Sequence, residues 1–236
     1  MSQLRVAAVG DLHASDEHRE HLERAFASLE DVDLVLLAGD LTTHGLVDEA
    51  GVLASACERA RAPVAAVLGN HDHHSGLQDE IGAVLERSGV VVLDGGHVVL
   101  ELAGMQVGVV GAKGFVGGFP GAEIADFGER LLREVYAQTS REVEALETGL
   151  EAIAGCERRL VLLHYAPTVD TIVGEPEGIW AFLGSGRLAA PIGAHRPDVV
   201  LHGHAHHGRP SGTIGTVPVH NVARQVVGSD FLVITL

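Results

Sequence analysis

Aromatic side chains are scarce, at 4% of 236 residues. A core with few rings has to be filled by Val, Leu and Ala. Cysteine is rarer still. Cys57 and Cys156 stand far apart in the chain, which excludes a disulfide framework and a cysteine-based zinc motif, and two buried, reduced thiols are expected. Positive charge is also short: 16 Lys and Arg against 32 Asp and Glu leave a net charge of −16. Binding a long nucleic acid draws on a basic surplus that displaces counterions, so no such partner is expected. The same charge does not prevent one small phosphate ester from binding at a metal site. No apolar run approaches the roughly 18 residues of a membrane span. The opening "MSQLRVAAVGDLH" has a short apolar run with no basic n-region or cleavage site, unlike a signal peptide. A cytoplasmic protein without a membrane partner is expected.

The apolar fraction is 46% and the charged fraction 20%, ordinary for a globular chain. The length suits one sizeable domain over residues 1–236. "LRVAAVGD", "DLVLLAGD" and "PVAAVLGN" read as buried strands, separated by helical spacing over 16–30 and 46–61. Strands alternating with helices imply parallel βαβ units. A helix near 77–88 precedes "VVVLDGGHVVLELAGMQVGVVGA", which reads as short antiparallel strands with glycine-rich turns. Residues 113–121 form a glycine-rich loop, and 122–154 carry the strongest helical periodicity. "RRLVLLHYAP", "DVVLHGHAHHG", "VPVHNVA" and "DFLVITL" return to strands.

The strand ends carry the chemistry. They present Asp11 and His13, Asp40, Asn70 and His71, His164, and His204 and His206. Ligands in open α/β sheets bind beyond the carboxyl ends of the strands. Residues two apart on an extended chain point the same way, so Asp-x-His and His-x-His can each reach one site. Carboxylate, imidazole and amide oxygens suit first-row divalent metals. Asp11, His13, Asp40, Asn70, His164, His204 and His206 are too many for one four-coordinate ion and suit two ions sharing a carboxylate.

Asp11-Leu12-His13, Gly39-Asp40, Gly69-Asn70-His71-Asp72, His164 and Gly203-His204-Ala205-His206 follow one another in the order of a known signature. The chain resembles the calcineurin-like metallophosphoesterases. Protein phosphatases of that superfamily carry G-D-x-x-D-R-G, whereas this chain reads "GDLTTHG". The acidic charge and compact length are also unlike the repair nucleases. The resemblance is therefore to the small bacterial phosphodiesterase-like branch. It implies an α/β fold, a two-sheet sandwich flanked by helices in four layers. It also implies two divalent ions of unassigned identity (Mn, Fe, Zn, Ni or Mg). One is held by Asp11, His13, Asp40 and His206, the other by Asp40, Asn70, His164 and His204. His71 would polarise the phosphate and protonate the leaving oxygen, with Asp72 orienting His71. The implied activity is hydrolysis of a small phosphodiester or phosphomonoester, the diester favoured. A non-catalytic scaffold and a nuclease for short single strands are the alternatives.

Asn70 and His71 are the expected substrate contacts, with His44 and Arg224 as further candidates. His73 and His74 are read as solvated loop residues, and His202 and His207 as packing residues. Residues 112–155 and 169–187 are candidate lid or assembly segments, and the latter could join a homodimer through Ile179, Trp180 and Phe182.

Overall fold

The computed structural model describes residues 3–236. The first third contains β1 (Arg5–Val9), α1 (Arg19–Ala27), β2 (Leu34–Ala38), α2 (Val47–Cys57), β3 (Val64–Val67), α3 (Gln78–Arg87) and β4 (Val91–Val92). The middle contains β5 (Gly96–Leu102), β6 (Met105–Ala112), α4 (Arg130–Ala152) and β7 (Arg158–Leu163). Then follow α5 (Trp180–Leu183), α6 (Ala189–His195), β8 (Val199–His202), β9 (Ser211–Ile214), β10 (Val217–Asn221), α7 (Arg224–Val227) and β11 (Leu232–Thr235).

Two mixed sheets result. The first has the order β11-β1-β2-β3-β4, parallel except for β11. The second has the order β5-β6-β7-β8-β10-β9, with only the edge strands β5 and β9 antiparallel to their neighbours. The continuous apolar runs in the sequence are explained by burial on both faces. In β1, Val6 and Ala8 face the second sheet, where they join Val107, Val109, Leu160 and Leu162. Ala7 and Val9 face outward and pack with Leu22 and Phe26 of α1 and Leu53 of α2. On the far side, Leu146 and Leu150 of α4 and Ile192 of α6 cover Val110, Val161 and Val200. The layers are helix, sheet, sheet, helix, as expected.

Some local expectations are corrected. β4 does not join the antiparallel portion but extends the first sheet parallel to β3. The long helix begins at Arg130, not 122, because residues 122–129 form an irregular, largely exposed loop with positive-φ Gly121 before it and positive-φ Gly128 within it. The sequence reading missed four short elements, α5, α6, β9 and α7. No helix among the described residues is long and apolar enough to cross a membrane.

Candidate metal centre

β1 ends at Val9, so Asp11 and His13 lie in the loop beyond it. The two do not share a face by extended-strand alternation. Asp11 has φ 58°, His13 φ 46°, Asp40 φ 49° and His204 φ 69°. All four are left-handed, a conformation that costs an L-residue energy and that Asp and His tolerate better than most. They are four of the seven described non-glycine residues with positive φ, so the backbone strain concentrates at the candidate site.

Glycines permit the close approach. A Cβ on Gly69 would collide with the Asp40 backbone nitrogen and Oδ1, and one on Gly203 would sit 2.5 Å from Asp11 Oδ2. Gly69 is thus required by contact with Asp40, a reason the sequence, which suggests only a turn, does not reveal.

Donor atoms of Asp11, His13 and His206 lie within 4.8 Å of one another, as do those of Asp40, His164 and His204, and those of His13, Asp40 and His71. Asp40 belongs to two of these groups and occupies the middle. Asp11, Asp40 and His164 are essentially buried. The hydrogen bonds show what the cluster lacks. Buried His164 places Nδ1 2.9 Å from the Ala38 carbonyl, so its ring proton is committed there. Burial holds this imidazole's pKa down to about 3, so the ring carries no second proton. Its bare Nε2 lone pair then faces Asn70 Oδ1 at 2.9 Å and Asp40 Oδ1 at 3.3 Å. Three acceptors converge with no proton among them, an arrangement that a cation satisfies.

His204 places Nε2 3.2 Å from the Phe182 carbonyl, which leaves Nδ1 for the cluster. Burial lowers its pKa to about 3 as well. His206 differs. Its Nε2 lies 2.8 Å from Asp11 Oδ1, and this hydrogen bond raises its pKa. Burial lifts the carboxyl of Asp11, and the nearby Asp40 charge adds to that lift. Without a cation, two carboxylates repel at this point.

His71 sits beside the shared carboxylate. Its backbone N–H donates to Asp40 Oδ1 at 2.8 Å, and its Nε2 lies 3.9 Å from Asp40 Oδ2. Its Nδ1 lies 2.7 Å from the Thr43 carbonyl. Asp72 does not orient the ring directly, contrary to the sequence-based expectation. Its buried carboxylate accepts from Leu41 N, Thr42 N, Thr42 Oγ1 and Gly69 N at 2.6–3.1 Å. Burial pushes it up to about 6, against the pull of those donors. Asp72 therefore pins residues 41 and 42, and the next residue, Thr43, holds His71. Sequence spacing does not expose this carbonyl contact, since any residue at position 43 carries the same oxygen.

Residues 4–208 match the model of the calcineurin-like phosphoesterases. The chain belongs to that family. A probable metallophosphoesterase from Methanothermobacter thermautotrophicus is 36% identical over 73 residues, 31% of this chain and 38% of the relative. The match thus spans well under half of that relative's length. Among solved structures, the phosphopantetheinyl hydrolase of Mycobacterium tuberculosis superposes with a TM-score of 0.66 at 16% identity, covering 94% of this chain and 89% of its own. The protein TT1561 of Thermus thermophilus gives a TM-score of 0.58 at 19% identity, covering 92% and 88%. At these identities the structures establish a shared fold.

The other candidate residues fall in varied places. Arg224 lines a cavity with Asp11 and His13, but its Nη2 lies 2.8 Å from His21 Nε2 and 3.6 Å from Asp230. His44 follows Thr43, its exposed ring tied to Glu49 Oε1 at 2.8 Å. His73 and His74 are exposed. His202 is buried, with its two ring nitrogens near the Gly203 carbonyl and Thr171 Oγ1. His207 meets Glu175 through its backbone N–H. In the 169–187 segment, Trp180 turns inward and donates to the Glu175 carbonyl, while Ile179 and Phe182 are exposed.

Proposed function

We propose that this phosphoesterase hydrolyses a small phosphodiester or phosphomonoester at a dinuclear metal centre, with a diester favoured. The convergence of His164 Nε2, Asn70 Oδ1 and Asp40 Oδ1, three acceptors sharing no proton, carries this reading. Asp11, His13, Asp40 and His206 would hold one ion, and Asp40, Asn70, His164 and His204 the other. The donor set of nitrogen and oxygen without thiolate fits divalent Mn, Fe, Zn, Ni or Mg. When bound, such ions supply Lewis acidity and make a water readily deprotonated.

The chain's own residues do the rest. Asp40 is the shared carboxylate, fixed from one side by the His71 N–H. His71 keeps Nδ1–H on the Thr43 carbonyl, so Nε2 faces the centre, and in its imidazolium form the ring carries a second proton there to give to the departing oxygen. Asn70 and His71 would contact the phosphoryl oxygens.

The test is turnover of bis-p-nitrophenyl phosphate beside p-nitrophenyl phosphate, with chelator-stripped protein refilled with Mn²⁺. Metal-dependent hydrolysis with the diester ahead is expected. Monoester preference would sink the diester assignment, and silence on both with no bound metal would favour a scaffold.

The protonation states add a prediction. A proton on a ligand competes with the ion, so affinity falls as pH drops through that ligand's pKa. His164 and His204 stay neutral down to about 3, whereas His206 holds its proton above the ordinary imidazole range. On acidification from pH 8, the ion held through His206 should therefore leave first. Its binding in mildly acidic solution should release more protons than binding of the other ion, readable by calorimetry in buffers of different ionisation enthalpy. Simultaneous loss of both ions would contradict this order.

A further inference from the structure

Lys113 is the only lysine in the chain, and its place is unusual for one. It directly follows β6, beside the ligand-bearing end of β7, where the His164 and Tyr165 backbone N–H groups both donate to its carbonyl at 3.1 and 3.0 Å. Its side chain is 13% exposed. The ammonium lies 4.5 Å from the centre of the Phe115 ring and 5.4 Å from that of Tyr165. The Tyr165 ring in turn lies 4.4 Å from that of His204. One aromatic ring thus separates this cation from a candidate metal ligand.

The cation is poorly matched. An ammonium has three donors, and among the described residues its one hydrogen bond is to the Gly114 carbonyl, at a long 3.3 Å. Its nearest carboxylate, Glu142, is 4.0 Å away. That carboxylate is already engaged by Gly114 N at 3.0 Å and Gln138 Nε2 at 2.9 Å. Exposed Asp94 and His73 and buried His164 are the other titratable groups that feel its charge. Burying an ammonium without full hydrogen bonding is costly. The surrounding stretches 113–121 and 165–182 also hold five of the chain's nine aromatic residues.

We propose that Lys113, walled by Phe115 and Tyr165, is a second anion subsite that takes a carboxylate or phosphate carried by the substrate in addition to its scissile phosphoester. This rests on the metal-centre reading above. It narrows the substrate class to phosphoesters whose organic part bears another negative group. The unused N–H donors supply charge-assisted hydrogen bonds to that group, and the aromatic faces favour a ligand with a flat or apolar connecting part.

The test uses non-hydrolysable probes on the Mn²⁺-loaded full chain: ω-phosphonocarboxylates of increasing length against alkylphosphonates of the same length, with affinities from calorimetry. At the length that spans the two sites, the carboxylate compound should bind at least tenfold more tightly than its partner. Lys113→Met should erase that difference, and Lys113→Arg should keep part of it. A bisphosphonate series distinguishes phosphate from carboxylate as the preferred group. Equal affinity of the two series at every length in the unaltered protein would overturn the proposal, and needs no variant to fold. A loss shared equally by both series in Lys113→Met would also overturn it, marking Lys113 as a packing residue. If no phosphonate binds while Mn²⁺ is bound, the subsite fails alone; if no Mn²⁺ binds, the metal-centre reading fails and takes the subsite with it.

Discussion

His71→Ala is expected to lower kcat/KM on a phosphodiester by about 10²–10⁴-fold, the range typical of a positioned general acid, while both ions remain bound. The geometry supports this separation. The His71 ring is held by a backbone carbonyl, that of Thr43, and its link to Asp40 is through the main chain, which alanine keeps. The loss should depend on the leaving group. An alkoxide requires a proton as the P–O bond breaks and should show the full effect, whereas p-nitrophenolate leaves readily without one and should show less. Steady-state kinetics on a matched alkyl and aryl ester, with metal analysis of the same samples, decide the matter. A uniform loss accompanied by loss of metal would make His71 a ligand instead, a role its proximity to His13 and Asp40 would allow.

Asp40→Ala is expected to abolish activity and to remove both ions. Asp40 is 1% exposed and is the one carboxylate belonging to two donor groups. An ion that binds only the folded chain stabilises it by about 2.7 kcal/mol at a free concentration 100 times Kd. Unaltered protein should therefore melt several degrees higher with saturating Mn²⁺, and Asp40→Ala should melt at the same temperature with and without it. The stripped variant should not be much weaker than stripped unaltered protein, because its Asp11 no longer faces a second buried carboxylate. A metal-dependent rise in melting temperature that persists in Asp40→Ala would rule out the shared-carboxylate assignment.

Much of this was legible in the sequence because it depends on residue type and order. The doubly buried strands show as uninterrupted Val, Leu and Ala runs, and the ligand candidates sit directly after them. What was not legible depends on backbone geometry. The Asp11-x-His13 spacing suggested an extended chain, but a left-handed loop does the aiming. Asp72 follows His71 in sequence yet reaches backward to residues 41 and 42, because its carboxylate finds four donors there and at Gly69. The engagement of His44 by Glu49, and the near-burial of Lys113 between two rings, arise from tertiary packing that has no local period.

The left-handed residues have a consequence for how such a chain changes over generations. Asp11, His13, Asp40 and His204 hold side chains at positions where glycine would relax the backbone by about 1 kcal/mol each, and two of them are carboxylates crowded together. Selection for a metal centre of the kind proposed would oppose this relaxation. In a lineage released from such selection, relaxation would act most freely on His13, because Asp11 and Asp40 also accept the backbone N–H groups of His204 and His71, donors that their loss would leave unpaired.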